Sequence, residues 1–215
     1  MVAPTSRKQR KAATRRSLLE AGQRCLARRG YVDTQISDIA REAGVAHGTF
    51  YVHFKSKEAL LEQLLAEFND GLVQRLSTLD MAGIAESNDR LEQLVQQMAH
   101  EFLGYWAEHR DFVRAVAQKT ALGTSVESLR DGINPQTVRF LMAALTRLGT
   151  AAGAPLPDAE LITHGLLALW MRVGLQALFN DSVALEQAER TLTALTVGAL
   201  RRAMTVTAGS DGRQT

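Results

Sequence analysis

The stretch that decides the fold runs from residue 36 to residue 57 and reads ISDIAREAGVAHGTFYVHFKSK. Ile36, Ile39, Ala40 and Ala43 recur at the spacing of a buried helical stripe. Gly44 follows at the position where a residue in the left-handed conformation ends a helix. The pattern therefore predicts one helix, a tight turn and a second short helix, which together form a helix-turn-helix.

The second of these helices, over residues 47–53, is predicted to turn Phe50 and Phe54 inward. Its outward face then carries four hydrogen-bonding side chains: His47, Thr49, Tyr51 and His53. A protein core has no need of such a face, whereas a recognition helix uses these groups on phosphates and base edges. The pattern therefore indicates contact with double-stranded DNA.

Charge is segregated along the chain. Up to Gly30 there are nine basic residues and Glu20 as the one acidic residue, so nine minus one gives +8. The whole chain has a formal net charge of +2, so +2 minus +8 leaves −6 for the remainder. A basic segment before a helix-turn-helix is the electrostatic footprint of a DNA-binding module. Taken alone, the same run also fits a solvated or disordered terminus.

Several spaced motifs between residues 15 and 65 resemble the DNA-binding domain of the tetracycline-repressor-like (TetR) family of regulators. In chain order they are Arg29-Gly30-Tyr31, Asp38-Ile39-Ala40, Ala43-Gly44-Val45, Gly48-Thr49-Phe50-Tyr51, His53-Phe54 and Ser56-Lys57-Glu58-Ala59-Leu60. Several elements in order are a specific signal, whereas one alone is weak. The resemblance implies a DNA-binding head followed by a helical domain that binds a small-molecule effector and forms a homodimer.

Carried over position by position, the resemblance also implies which residues contact DNA. They are Ser37, His47, Gly48, Thr49, Tyr51, His53 and Lys57. Two alternatives stay open, since Tyr51 also suits packing against the first helix and His53 suits a local hydrogen bond. The N-cap of the second helix is open between Thr34 and Gln35, of which only Thr34 is a preferred capping type. Ser56 is the expected N-cap of the fourth helix.

The rest of the chain reads as helices without alternating strand segments, so we predict an all-α protein. The expected organisation is a basic disordered arm (1–14), the helix-turn-helix domain (15–65), an effector-binding and dimerisation domain (66–206) and a disordered tail (207–215). The fourth helix is extended to residue 79. Further helices are predicted over residues 89–107, 109–119, 126–148 with a disturbance at Pro135, 158–179 and 185–204. Loops are expected at 81–83, 122–124 and 149–157.

The basic N-terminus lacks the apolar segment of a secretory signal, and one cysteine forms no internal disulfide, so we expect a soluble cytoplasmic protein. Cys25 falls on the inner face of the first helix and is expected to pack in the core. The helix over 161–179 is apolar nearly all round, but His164, Arg172 and Gln176 interrupt it, which argues against a membrane span.

The last helix carries an apolar seam with steps of 3, 4, 3, 4 and 3, formed by Leu185, Ala188, Leu192, Leu195, Ala199 and finally Arg202. The seam predicts a helical partner. The resemblance implies that two helices from each subunit form a four-helix bundle, and a two-fold dimer presents two recognition helices to a palindromic operator.

An effector pocket is expected between the head and the dimer helices. Its predicted lining residues are Met98, Phe102, Tyr105, Trp106, Phe140 and Trp170, and the polar candidates are His100, His109, Arg139, His164 and Gln176. Plain core packing is the alternative for each apolar residue. The effector is expected to be largely apolar.

Enzyme classes find little support in the sequence. There is no His-Glu-x-x-His motif, no pair of Glu-x-x-His motifs and no glycine-rich phosphate loop, so no metal or cofactor is expected. The sequence therefore favours a repressor that a small molecule releases from its operator. A helix-turn-helix protein without ligand response and a helical enzyme with a basic arm remain the alternatives.

Overall fold

The computed structural model describes residues 6–80, 88–122, 135–151, 156 and 158–210. Within these residues it contains helices and no strand, which confirms the all-α prediction. The helices are α1 (Arg7–Asp33), α2 (Ile36–Glu42), α3 (His47–His53), α4 (Lys57–Leu76), α5 (Asn88–Glu108), α6 (Arg110–Leu122), α7 (Pro135–Ala151), α8 (Ala159–Phe179) and α9 (Leu185–Ser210).

The chain divides into two units. Of the described residues, the first unit comprises 6–68 and 109–122, and the second comprises the rest. The first unit ends close to the predicted boundary at residue 65, but it also contains α6, which the sequence assigned to the effector domain. The single helix α4 begins in the first unit and ends in the second.

The first unit is built on the apolar face of α1, against which α2 and α6 pack. Its core contains Leu18, Leu19, Ala21, Cys25, Leu26, Tyr31, Ile39, Phe50, Phe54, Leu60, Leu61, Leu64, Phe112 and Ala115. Cys25 is buried in this core as predicted, and burial raises the pKa of its thiol, which keeps it protonated and unreactive.

Helix α1 begins at Arg7, so the prediction of a disordered arm is wrong for residues 6–14. Ser6 caps the helix: its Oγ accepts a hydrogen bond from the backbone N–H of Gln9 at 3.2 Å, and the side chain of Gln9 accepts one from the N–H of Ser6 at 2.7 Å. The reciprocal cap stabilises a helical end that the run of positive charge disfavours.

The end of α1 bends at Gly30, whose φ of 76° lies in the left-handed region. The amide oxygen of Gln118, on α6, accepts a hydrogen bond from the backbone N–H of the next residue, Tyr31, at 2.8 Å. A Cβ at position 30 would clash with that oxygen, so this contact requires glycine. Nothing in the sequence pairs residues 31 and 118.

The turn between α2 and α3 has the predicted form. Gly44 has a φ of 68°, as a helix-ending residue in the left-handed region requires. Gln35 occupies the N-cap of α2, and its backbone N–H donates to the carboxylate of Asp38 at 3.3 Å. Thr34 is not the cap, because its buried hydroxyl donates to the carbonyl oxygen of Gly30 at 2.6 Å.

The second unit packs α5 and α8 against α9, with α7 on α8. Helix α7 begins at Pro135, a residue suited to the first helical position, and the predicted segment 126–134 lies outside the described residues. The loop predicted from residue 149 and the tail predicted from residue 207 are wrong for 149–151 and 207–210, which are helical. Residues 81–83, 123–124, 152–155, 157 and 211–215 lie outside the described residues.

The predicted seam of α9 does not form one face. Ala188 and Leu192 are buried inside their own unit, whereas Leu195 is half exposed and Ala199 and Arg202 are exposed. The buried stripe continues instead through Thr196, Val197 and Leu200. A strict seven-residue repeat drifts around a straight helix, so only part of the seam faces the α5 and α8 side.

Candidate DNA interface and apolar cavity

An open groove of about 520 Å³ lies in the first unit, beside the helix-turn-helix. It is lined by Val32, Thr34, Gln35, Ile36, Ser37, His47, Tyr51, Lys55, Ser56, Lys57 and Glu58. The groove therefore brings together four of the predicted DNA-contact residues: Ser37, His47, Tyr51 and Lys57. Gly48, Thr49 and His53 do not line it.

The outward face of α3 is open to solvent. Phe50 is fully buried and anchors the helix, while Tyr51 is 51% exposed. The ring of Tyr51 meets that of His47 edge-on, with centroids 5.4 Å apart, so the two side chains form one aromatic surface. Gly48 is exposed, and nothing lies within 4 Å of the position that its Cβ would take, which leaves room for close approach of a partner.

Lys57 makes contacts that the sequence did not reveal. Its ammonium group donates to the carbonyl oxygens of Tyr31 at 2.6 Å and Thr34 at 2.8 Å, and it lies 4.3 Å from the centre of the Tyr31 ring. Ser56 caps α4 as expected, accepting from the N–H of Ala59 at 3.2 Å. An ammonium has three N–H donors, so one remains for a phosphate.

The phenol of Tyr31 completes this junction by donating to the carboxylate of Glu58 at 2.5 Å. Burial is the main cause that raises the pKa of Tyr31, and the hydrogen bond to Glu58 is the second. The phenol therefore stays protonated and remains a donor. The same hydrogen bond is the largest cause that lowers the pKa of Glu58. The beginning of α4 is therefore tied to the end of α1 by two adjacent residues, Lys57 and Glu58.

His53 lies at the end of α3 and is partly buried. Its Nδ1 atom is buried and has no hydrogen-bond partner within the described residues. Burial lowers the pKa of His53, and the positive charges of Lys11 and Arg15 lower it further. At neutral pH the ring is therefore uncharged, and a contact with DNA would be a hydrogen bond without an ion pair.

Two groups of basic residues on α1 and α2 differ in their partners. Arg16, Arg24, Arg28, Arg29 and Arg41 all form salt bridges to carboxylates. In contrast, Arg7, Lys8, Arg10 and Lys11 form none within the part of the chain described here, and all four are exposed.

The paired group has a clear electrostatic signature. Hydrogen bonds from Arg28 and Arg24 lower the pKa of Glu42 from its ordinary value of 4.5 to about 2. Glu42 is therefore ionised at neutral pH, and its one negative charge offsets one of the two positive charges of Arg24 and Arg28. On α1, the basic side chains that form no salt bridge within the described residues are concentrated in the first two turns, which we call the basic turns (Arg7, Lys8, Arg10 and Lys11).

The second unit encloses a cavity of about 100 Å³. It is lined by Leu72, Leu76, Leu91, Leu94, Val95, Met98, Phe102, Thr137, Leu141, Ala144, Leu145, Leu148, Thr163, Leu166, Leu167, Trp170, Met171, Thr196 and Leu200. Three of the predicted ligand residues, Met98, Phe102 and Trp170, belong to this wall. None of the polar candidates does; for example, the exposed His100 lies 3.1 Å from Glu189.

The other three predicted ligand residues, Tyr105, Trp106 and Phe140, lie elsewhere. The hydroxyl of Tyr105 fills the space that a Cβ of Gly71 would take, and the ring of Trp106 lies 3.1 Å from the corresponding position at Gly174. Because Gly71 and Gly174 have no side chains, Tyr105 and Trp106 pack closely against them. Phe140 is partly exposed on α7, beside the stripe of Thr137, Leu141 and Ala144 that faces the cavity.

Helices α8 and α9 also present an exposed face of apolar and small residues. On α8, Leu161 is 73% exposed and Gly165 and Ala168 are exposed; on α9 the corresponding residues are Leu195, Gly198 and Ala199. We call this set the small-residue face.

Helix α8 has the length and the mean hydropathy, 1.3, of a membrane span, but one such helix is weak evidence for a membrane protein. Its opposite side is buried through Thr163, Leu167, Gly174 and Leu178.

Comparisons with known proteins agree with this architecture. The sequence model of bacterial regulatory proteins of the tetR family matches residues 18–64. The chain is 29% identical to the HTH-type transcriptional repressor NemR of Escherichia coli K12, over 79% of this chain and 86% of NemR.

Two solved structures show the same fold. A TetR-family regulator from Syntrophomonas wolfei has a TM-score of 0.68 at 16% identity, covering 87% of this chain and 94% of its own. The regulator FadR of Bacillus subtilis, solved with stearoyl-CoA, has a TM-score of 0.65 at 21% identity, covering 85% and 97%.

Proposed function

Because the chain belongs to the TetR family of bacterial transcriptional regulators, we propose that it is a cytoplasmic repressor that binds a palindromic operator as a homodimer and is released by a small molecule. The observation that carries the proposal is the exposed aromatic and polar face of α3, which borders a groove with Lys55 and Lys57. This face suits the major groove of DNA, with the lysines on phosphates.

The predicted contacts divide into two roles. His47, Gly48 and Thr49 lie in the first turn of α3, where a recognition helix meets base edges. Ser37, Tyr51, His53 and Lys57 lie outside that turn and suit phosphate contacts, which position the helix without reading sequence. The basic turns of α1 add charge without sequence preference.

The small-residue face supports the homodimer. Exposed contiguous apolar surface on a soluble protein marks an interaction site, and glycine and alanine let two helices approach closely. Two copies of α8 and α9 would then form a four-helix bundle with two-fold symmetry. Such a dimer carries two copies of α3, as a palindrome requires.

The apolar cavity supports the ligand response. Leu72 and Leu76 place the end of α4 in the cavity wall, while Lys57 places its beginning beside the DNA-binding groove. From Lys57 to Leu76 the helix is about 28 Å long, at 1.5 Å per residue. A ligand that shifts α4 would therefore change the presentation of α3. A coupling of about 1–3 kcal/mol, typical of such systems, corresponds to roughly 5- to 150-fold weaker DNA binding.

Two alternatives make different predictions. A helix-turn-helix protein without ligand response would bind its operator equally well at any concentration of small molecule. A helical enzyme needs titratable or metal-binding groups at its site, whereas the described cavity wall carries only hydrocarbon, thioether, indole and threonine side chains.

The direct test is an electrophoretic mobility shift with the DNA upstream of the protein's own gene and of its neighbours. We expect a shift by wild-type protein at nanomolar concentration, in the range typical of specific DNA binding. Tyr51→Ala should lose that shift while circular dichroism shows an unchanged helical content. Retention of the full affinity in a folded Tyr51→Ala protein would remove α3 from the interface.

A further inference from the structure

The described wall of the cavity contains three threonines, Thr137, Thr163 and Thr196, among hydrocarbon, thioether and indole side chains. Their hydroxyl groups differ in hydrogen bonding. The hydroxyl of Thr163 donates to the carbonyl oxygen of Ala159 at 2.7 Å, and that of Thr196 accepts from the indole N–H of Trp170 at 2.9 Å. The Oγ1 atom of Thr137 is buried and has no hydrogen-bond partner among the residues described. Thr137 itself is 8% exposed.

A buried hydroxyl without a partner is costly, and most buried polar groups in proteins are paired. Ordinary packing at position 137 would be served by valine, which has the same shape without the hydroxyl. Thr137 therefore offers a donor and an acceptor, used by none of the described residues, at the wall of the apolar cavity. A bound molecule with one polar group in the right place would satisfy it.

The rest of the wall limits what that molecule is. Among the described residues no Lys, Arg, His, Asp or Glu lines the cavity, so a charged group entering it would lose its hydration without gaining a counter-ion from this part of the wall. The volume of about 100 Å³ is below that of an engineered cavity of about 150 Å³ that binds benzene. A cavity of this order admits at most a single small ring, and a long acyl chain exceeds it.

We propose that the cavity binds a small, uncharged, mostly hydrocarbon molecule whose single hydroxyl or carbonyl group hydrogen-bonds to Thr137. This inference rests on the proposed function for its regulatory meaning, because it names the chemical class of the effector. The binding itself is independent of DNA. Phe102 and Trp170, with ring centroids 5.3 Å apart, supply the aromatic part of the wall on which such a ring packs.

Titration calorimetry without DNA tests the proposal with three probes of one size: phenol, toluene and benzoate. In the wild-type protein at pH 7 we expect phenol and toluene to bind and ionised benzoate to bind at least tenfold more weakly than phenol. Thr137→Val should weaken phenol relative to toluene by about three- to tenfold, the usual value of one hydrogen bond. Thr163→Val, which alters a hydroxyl that is already bonded, is the matched control and should leave the ratio unchanged.

Thr137→Ser keeps the hydroxyl, and it should keep the wild-type ratio of phenol to toluene affinity. The proposal is overturned if Thr137→Val has the wild-type ratio, if benzoate binds as tightly as phenol, or if none of the probes binds. It is also overturned if stearoyl-CoA binds and competes with toluene, because the cavity would then accept a long acyl chain.

A mobility shift with operator DNA separates this inference from the proposed function. Phenol binding at Thr137 without release of DNA would support the site and contradict the ligand response. Release of DNA by some other molecule, with no probe bound in the cavity, would support the ligand response and overturn the site.

Discussion

The ammonium group of Lys57 donates a hydrogen bond to the backbone carbonyl oxygen of Tyr31 at a distance of 2.6 Å. This contact joins the first residue of α4 to the segment that follows the bend of α1 at Gly30. The lysine therefore has a structural part in the first unit in addition to its proposed contact with a phosphate.

Lys57→Met is expected to lower the unfolding free energy by about 1–3 kcal/mol, because the carbonyl oxygens of Tyr31 and Thr34 lose their charged donor. DNA affinity should fall as well. Lys55→Met is the control, since Lys55 is exposed and lines the same groove. It should weaken DNA binding without changing denaturant stability. Equal stability of the two variants would mean that the Lys57 hydrogen bonds contribute nothing to the fold.

The basic turns of α1 are expected to determine part of the salt dependence of DNA binding. Replacing Arg7, Lys8, Arg10 and Lys11 by Gln should reduce the slope of log affinity against log salt by about 0.9 for each phosphate that the variant no longer neutralises. The control replaces Arg24 and Arg28, which are paired with Glu42, by Gln. A larger change of slope in that control than in the basic-turn variant would contradict the division of the basic residues into free and paired groups.

The small-residue face is expected to hold the dimer. Leu195→Arg places a charge at a half-exposed position, so it should give a folded monomer in sedimentation. Leu192→Arg places the same charge where the side chain is fully buried within its own unit, and it should unfold the protein. A dimeric Leu195→Arg protein at micromolar concentration would place the interface on another surface.

The cavity is expected to control the ligand response. Ala144→Leu fills part of the cavity and should weaken the response to an effector while leaving operator affinity without effector unchanged. Ala143→Leu is the matched control, because Ala143 is exposed on the same helix and is not part of the wall. If the two variants respond alike, the cavity does not bind the effector. A large loss of thermal stability in Ala144→Leu would instead indicate overpacking, which costs about 1–3 kcal/mol.

Local features of the helix-turn-helix were predictable from sequence. The turn at Gly44, the burial of Phe50 and Phe54, and the cap at Ser56 follow from chemistry within a few residues. The run of positive charge predicted a disordered arm for the residues that begin α1. The reciprocal cap of Ser6 and Gln9 makes them helical instead.

Features that depend on distant residues were not predictable. The sequence of α5 does not indicate which of its aromatic rings face the cavity. Tyr105 and Trp106 pack against Gly71 on α4 and Gly174 on α8, which are distant in sequence. The spacing of leucines on α9 likewise does not indicate which of them are buried within their own unit. The unpaired hydroxyl of Thr137 is visible only when the partners of Thr163 and Thr196 are known as well.

Selection of duplexes from a random DNA library by the purified protein tests the central claim most directly. We expect an inverted repeat whose halves lie one helical turn or a multiple of it apart, read by two copies of α3. Tyr51→Ala should recover no such repeat. Failure of the folded wild-type protein to enrich any sequence, or the same enriched repeat with Tyr51→Ala, would contradict the assignment of α3 as the helix that recognises the operator.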